Sequence, residues 1–127
     1  MRPLRFLTDE HISPLVAQAA RRNCPGISIL AIQEWREGCF LGSQDPVFLP
    51  AATTEGLTFV TCDQKTIRPL LKSWAEAGID HAGFVFVDEK TIPPRDFGRL
   101  ATSLCRLWRS EHRVAWENRV IYLVSTE

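Results

Sequence analysis

Three aspartates each stand where an apolar run gives way to a loop or a helix. Asp9 follows Leu4-Arg5-Phe6-Leu7-Thr8, and Asp63 follows Leu57-Thr58-Phe59-Val60-Thr61-Cys62. Asp45 opens the apolar stretch Val47-Phe48-Leu49. In a parallel α/β sheet the carboxyl ends of the strands form the ligand crevice. Carboxylates gathered there, with no basic partner fixed by the sequence, repel one another. A divalent cation relieves that repulsion, and hard oxygen donors suit Mg²⁺ or Mn²⁺. The expected chemistry is metal-dependent phosphodiester hydrolysis on a nucleic acid, with Asp9, Asp45 and Asp63 as catalytic metal ligands. Ions held in this way would activate water for in-line attack on phosphorus and steady the leaving 3′ oxygen. Asp88 and Glu89 close the run Phe84-Val85-Phe86-Val87, which makes Asp88 the candidate for a fourth metal ligand.

Each acid also has a plainer reading. Asp45-Pro46 and Asp63-Gln64 look like helix starts, where an Asp caps free backbone N–H groups. Asp9-Glu10 also reads as charge on a solvated loop. Lys65 and Arg68 follow Asp63 and are candidates for contact with a substrate phosphate, against the alternative of a solvated helix face. Residues 95–119 hold six arginines (Arg95, Arg99, Arg106, Arg109, Arg113 and Arg119) against Asp96, Glu111 and Glu117. That excess fits a stripe facing nucleic acid or an acidic partner, and equally a charged helix exterior. His11, His81 and His112 lack metal-ligand spacing and read as surface or loop residues. Trp35 has the type to stack on a base, and packing is the favoured role.

Five short runs of β-branched or aromatic residues must position these acids: Leu4–Thr8, Ile27–Ile32, Leu57–Thr61, Gly83–Val87 and Val120–Val124. Several are continuous rather than alternating, as in strands covered on both faces. Helical patterns lie between them. Ser13-Pro14 opens the first with a cap and a proline at the first helical position. The second runs from Asp45 to about Thr54, with Pro50 expected to shift or kink it. The third spans roughly Thr66 to Ala77 and closes at Gly78. The fourth spans about Pro94 to Ser110. Gln33 to Ser43 reads as a loop with a helical turn. This order predicts a single domain over residues 1–127. Its sheet is a central, mostly parallel, five-stranded one flanked by helices, a three-layer α/β fold with right-handed crossovers.

Composition bounds the setting. The chain has 127 residues, 45% of them hydrophobic, enough for a real core. Acids and bases balance at 15 each, so any basic surface is local. Arg outnumbers Lys twelve to three. The four cysteines show neither zinc-site spacing nor the density of a disulfide scaffold, which suits a reduced cytoplasmic protein. No apolar run approaches membrane-spanning length, and the N-terminus does not read as a signal peptide.

The opening Leu4-Arg5-Phe6-Leu7-Thr8-Asp9-Glu10-His11-Ile12-Ser13-Pro14 resembles that of the small PIN-like proteins grouped as DUF5615, close to the Mut7-C type. Asp45-Pro46-Val47-Phe48-Leu49 is similar to their Asp-x-x-Ile-Leu helix start. Phe59-Val60-Thr61-Cys62-Asp63 is similar to their strand end, two hydrophobic residues and then Thr-x-Asp. The resemblance covers about residues 4–90. It implies a PIN-like fold, a Mg²⁺ or Mn²⁺ site on Asp9, Asp45 and Asp63, and endoribonuclease activity on RNA. It also implies a toxin paired with an antitoxin protein. A homodimer stays open. The chain departs from the pattern at Gln44, at Pro50 and in the loop bearing Trp35, Cys39 and Phe40. Two rivals remain: a non-catalytic PIN-like interaction module, and a receiver-like signalling domain with Asp63 as phosphoacceptor. The second lacks the small hydroxyl residue and the Lys expected at its fourth and fifth strand ends.

Overall fold

The computed structural model describes residues 4–39, 42, 45–93 and 95–125, with the backbone alone at 45–48. In chain order the elements are β1 (Phe6–Thr8), α1 (Pro14–Asn23), β2 (Ile29–Ala31), a 3-10 turn (Trp35–Gly38), α2 (Asp45–Thr54), β3 (Thr58–Thr61), α3 (Gln64–Ala77), β4 (Phe84–Val87), α4 (Phe97–Glu111) and β5 (Val120–Leu123). The five strands form one sheet in the order β2-β1-β3-β4-β5, and every pairing is parallel. All five expected strands are present, each trimmed at one or both ends. The three-layer α/β architecture expected from the alternating pattern is the one observed.

Local chemistry sets the helix boundaries. The Ser13 hydroxyl accepts from Leu15 N at 3.2 Å, and Pro14 takes the first helical position, where its missing N–H costs nothing. Asp63 accepts from Thr66 N at 3.1 Å, so α3 begins at Gln64, earlier than Thr66. Asp96 accepts from Arg99 N at 3.1 Å, which delays the start of α4 to Phe97. Helix α2 contains Pro50 yet spans Asp45–Thr54. The proline is exposed, so water can serve the carbonyl that it leaves unpaired.

Strand alternation sorts the core into two layers. Phe6, Ile29, Val60, Val85, Val87 and Leu123 face α1 and α4. Leu7, Phe59, Phe84 and Phe86 face α2 and α3, with Ile32, Trp35, Leu49 and Ile67 packed among them. Trp35 is therefore a core residue, and its indole N–H donates to Glu55 at 3.3 Å.

The crossovers depart from expectation in one place. From β1 the chain steps through α1 to β2 at one edge, and from β4 it steps through α4 to β5 at the opposite edge. Both helices lie on the same face of the sheet. Opposite steps over one face have opposite hands. The β2–β3 and β3–β4 connections use the other face and share the hand of the first. So β4-α4-β5 is the odd one of four, and right-handedness does not hold throughout. Its physical cause lies in the core: α4 buries Leu100, Ala101, Leu104 and Cys105 against α1. The α2/α3 side of β5 is left uncovered, and Val120, Tyr122 and Val124 are exposed there.

A tight corner before β4 ties it to β5. Gly83 has φ +110°, and a Cβ there would lie 2.9 Å from the Trp116 carbonyl. Its N–H donates to His81 Nδ1 at 3.0 Å, while His81 N donates to Asn118 Oδ1 at 3.1 Å. His81, read as a surface or loop residue, lies in the loop before β4 and is buried there, because both its ring and its backbone serve this corner. Burial holds its imidazole below the ordinary 6.5, against an opposing pull from Asp80.

Gly83→Ala is expected to cost about 1–3 kcal/mol from backbone strain, with overlap adding to it. Gly98→Ala, where a Cβ meets nothing within 4 Å, should be neutral or gain up to about 1 kcal/mol. Urea unfolding of both variants checks the pair. The His81 shift also carries a sign. As pH falls below 6.5 the unfolded chain takes up the proton first, so stability must fall. His81→Asn keeps an acceptor for Gly83 and should flatten that acid limb in thermal melts run between neutral and acid pH.

Candidate active site at the β1–β3 crevice

From β1 the chain leaves for β2 on one side, and it returns to β3 on the other. The gap between the carboxyl ends of β1 and β3 is thus the topological switch point, where open α/β sheets bind ligands. The ladder pairs Thr8 with Val60, and Asp9 N donates to the Val60 carbonyl at 3.0 Å. Asp9 therefore continues the β1 register, and its side chain comes beside that of Thr61.

One hydroxyl links the carboxylate of Asp9 to the backbone of Asp63. Thr61 Oγ1 donates to Asp9 Oδ2 at 2.7 Å and accepts from Asp63 N at 3.0 Å. Asp9 Oδ1 accepts from Glu10 N at 2.7 Å. Asp9 is 9% exposed, and Thr61 is fully buried. The structure thus brings Asp9 and Asp63 to one place, and Asp63 caps α3 as well. Thr61 carries the junction, although the sequence reading treated it only as part of the strand. The signal available was a β-branched hydroxyl two residues before the strand-end acid.

The remaining candidates are distributed as follows. Helix α2 leads from the carboxyl edge back to β3, so its first residue, Asp45, starts at that edge; the Asp45 side chain lies outside the described residues. Asp88 follows β4 at the same edge. Its two carboxylate oxygens accept from Lys90 N at 3.3 Å and Thr91 Oγ1 at 3.1 Å, so it shapes its own loop. Lys65 is exposed in the first turn of α3. Arg68 bonds the Tyr122 hydroxyl and lies over its ring, 5.3 Å from the centroid, which commits it to β5. Of the Arg-rich segment, Arg99 pairs with Asp96, Arg109 donates to the Asn23 carbonyl at 3.3 Å, and Arg119 pairs with Glu111. These bonds tie α4 to its surroundings and absorb part of the positive excess.

Field and unmet hydrogen-bonding capacity mark the crevice. Burial pushes the Cys62 thiol up to about 11, with Glu89 and then Asp9 adding to the effect. Gln33 spans from β2 to the loop after Asp9, donating to the Glu10 and Ile12 carbonyls at 3.1 and 3.3 Å. Its own Oε1 is buried without a partner among the described residues, and so is Thr8 Oγ1, one residue before Asp9. Carboxylate, amide and hydroxyl oxygens are hard donors, so the set fits Mg²⁺ or Mn²⁺. Among the described residues, no three His, Cys, Asp or Glu side chains form a metal-holding group. A cation here would therefore need an oxygen from beyond the Asp9–Asp63 pair. No helix among those residues is long and apolar enough to cross a membrane.

No family model, curated protein or solved structure matches the chain.

The bridging role of Thr61 generates a paired test. Thr61→Val removes the hydroxyl and strands a buried carboxylate oxygen and the Asp63 N–H, at a cost of about 1–3 kcal/mol. Thr61→Ser restores both bonds and should recover most of that stability. Denaturant midpoints of the two variants decide it.

Proposed function

We propose that the protein is a metal-dependent phosphodiesterase, an endoribonuclease of PIN-like type using Mg²⁺ or Mn²⁺. The observation that carries this reading is the convergence of Asp9 and Asp63 at the β1–β3 switch point, joined through Thr61. A structural core has no need to hold a buried carboxylate on a buried hydroxyl with a second acid anchored through its backbone to the same hydroxyl at the mouth of a sheet. A cation site does, because the acids must be fixed before the ion arrives. The resemblance of the segments at Asp9, Asp45 and Asp63 to the DUF5615 proteins supports the same reading. It also suggests a toxin restrained by an antitoxin.

Asp9 and Asp63 would hold the ion, with Asp45 as the third ligand from the start of α2. The bound cation supplies Lewis acidity toward a phosphodiester. The chain's own residues supply the rest. Thr61 fixes the Asp9 carboxylate by donating to Oδ2, leaving its lone pairs directed by the strand register. The Glu10 N–H restrains Oδ1. Asp63 is oriented by its cap on Thr66 N, with one oxygen so engaged. Lys65, exposed beside Asp63, is placed to meet a flanking phosphate.

A receiver-like reading also has an observation in its favour. The strand order 2-1-3-4-5 is that of flavodoxin-like sheets, with Asp63 following the third strand. The strand ends oppose it: Asp88 and Glu89 follow β4, and Ser125 follows Leu123-Val124 with no lysine. Labelling of Asp63 by acetyl phosphate would establish it.

The deciding experiment measures Mn²⁺ and Mg²⁺ binding by calorimetry and thermal shift, with single-stranded RNA cleavage assayed in the same samples. At 100 times the dissociation constant, the metal should stabilise the wild type by about 2.7 kcal/mol. Asp9→Asn/Asp63→Asn should lose both that gain and cleavage. Absence of metal binding by the wild type would overturn the catalytic reading and leave a PIN-like interaction module.

A further inference from the structure

The two edge strands of the sheet are finished differently. At the β2 edge, side chains take the outward backbone groups. Arg21 Nη2 donates to the Ile29 carbonyl at 2.6 Å, and Ala31 N donates to Glu34 Oε1 at 3.0 Å. The Ala31 carbonyl accepts from Glu34 N at 2.9 Å, and Arg21 and Glu34 pair with each other. An added strand would have to break these bonds. The β5 edge has no such cover. The carbonyls of Arg119 and Leu123 face β4, accepting from Phe84 N and Asp88 N at 2.9 Å, and Ser125 N turns to Thr91 Oγ1 in the loop after β4. Strand alternation therefore turns the N–H and C=O groups of Val120, Tyr122 and Val124 to the open side. Those groups have no partner among the described residues.

The side chains on this edge match the backbone. Val120, Tyr122 and Val124 are 40%, 51% and 49% exposed, on the face of β5 that no helix covers. The Tyr122 ring leans over Phe86, 5.6 Å between centroids, and so does not block the edge. From 120 to 125 the chain has no charge, proline or bulge, the devices that keep an edge strand from pairing. The segment is also its own complement. In an antiparallel pair, a residue that turns both backbone groups toward the other strand exchanges both bonds with the residue opposite. A two-fold axis at Tyr122 sets Tyr122 against Tyr122 of a second copy, and Val120 of each copy against Val124 of the other. The outward groups of all three residues are then satisfied, and the apolar stripe of one copy meets that of the other. On the opposite face Ile121 meets Leu123.

We infer that two copies of the chain pair antiparallel through β5, each sheet continuing into the other. The occupant is a second copy because the register that satisfies the backbone also sets apolar against apolar, with no charge opposed. The two-fold contact uses up the β5 edge of both copies, and Arg21 and Glu34 close the β2 edges, so growth stops at a dimer. The pairing does not depend on the catalytic reading. It sends the carboxyl edges of the two sheets in opposite directions, so each acid crevice stays open and acts alone.

Sedimentation velocity and amide-resolved hydrogen exchange on the full chain in EDTA, over a series of protein concentrations, test the pairing. The wild type should form a dimer and nothing larger. The Val120, Tyr122 and Val124 amides should become protected as the dimer fills, while the Ala31 amide stays unchanged. Val120→Lys/Val124→Lys sets like charges opposite each other at both ends of the pair and should weaken association about tenfold or more. Val120→Lys/Val124→Glu introduces as many charges, yet sets opposite signs face to face when the strands run antiparallel. It should associate about tenfold or more tightly than the first variant. Both changes fall on exposed side chains, and melting temperatures of dilute samples check that the fold is kept. If either variant fails to fold, the wild-type amides decide alone. A wild type that stays monomeric at roughly 1 mM, where even a millimolar association shows, would overturn the inference and leave the edge to a strand of another protein. So would a dimer whose three β5 amides stay unprotected, open-ended aggregation, or equal association of the two charged variants.

Discussion

Strand β1 lies between β2 and β3, and its ladder to β3 sets Leu7 opposite Phe59 and Thr8 opposite Val60. A slip of one residue would turn Leu7 out of the α2/α3 layer and Phe6 out of the α1/α4 layer. Both are fully buried, so the register is strongly held. The same register carries Asp9 to the position beside Thr61 and so builds the acid junction. Packing of Phe6, Leu7, Phe59 and Val60 thus holds the Asp9 carboxylate on the Thr61 hydroxyl, which also takes the Asp63 N–H. The site inherits its precision from the sheet interior rather than from its own polar bonds.

The second organising choice is the side taken by α4. Packing on α1 buries its apolar face and closes one layer of the core. It also exposes the opposite face of β5, where Arg68 and Phe86 contact Tyr122. The turn that makes this possible is the loop 88–92, in which Asp88 holds Lys90 N and Thr91 Oγ1. Asp88, the candidate fourth metal ligand, thereby organises its own loop, and the arginines of α4 are brought to the end of β5. The chain is neutral overall, yet the fold sorts its charge. Acids lie at the ends of β1, β3 and β4, and Arg99 and Arg106 line a cleft beside β5.

The elements were legible because their signals are local. Ser13-Pro14, Asp63 and Gly78 are caps whose chemistry acts within one turn, and each marks a helix end. Continuous runs such as Phe84–Val87 announced strands covered on both faces. Boundaries moved where a cap outweighed periodicity, as at Asp96. The burial of His81 was harder to read, because its partner Asn118 lies in a separate segment, whereas the packing role favoured for Trp35 is the one observed.

By itself, then, the sequence determined which segments would be strands and helices, that the sheet would be parallel, and that Asp9 and Asp63 would both stand at strand ends. Those properties follow from side-chain periodicity, capping and short-range sterics, which need no knowledge of neighbours. The tertiary structure decided the strand order that sets β1 beside β3, the Thr61 hydroxyl that joins the Asp9 carboxylate to the Asp63 backbone, the side on which α4 packs, and the bonds that Asp88 and Arg68 make to their neighbours. Each of these depends on which distant surfaces bury one another best, a balance between whole layers of the core that no single segment encodes.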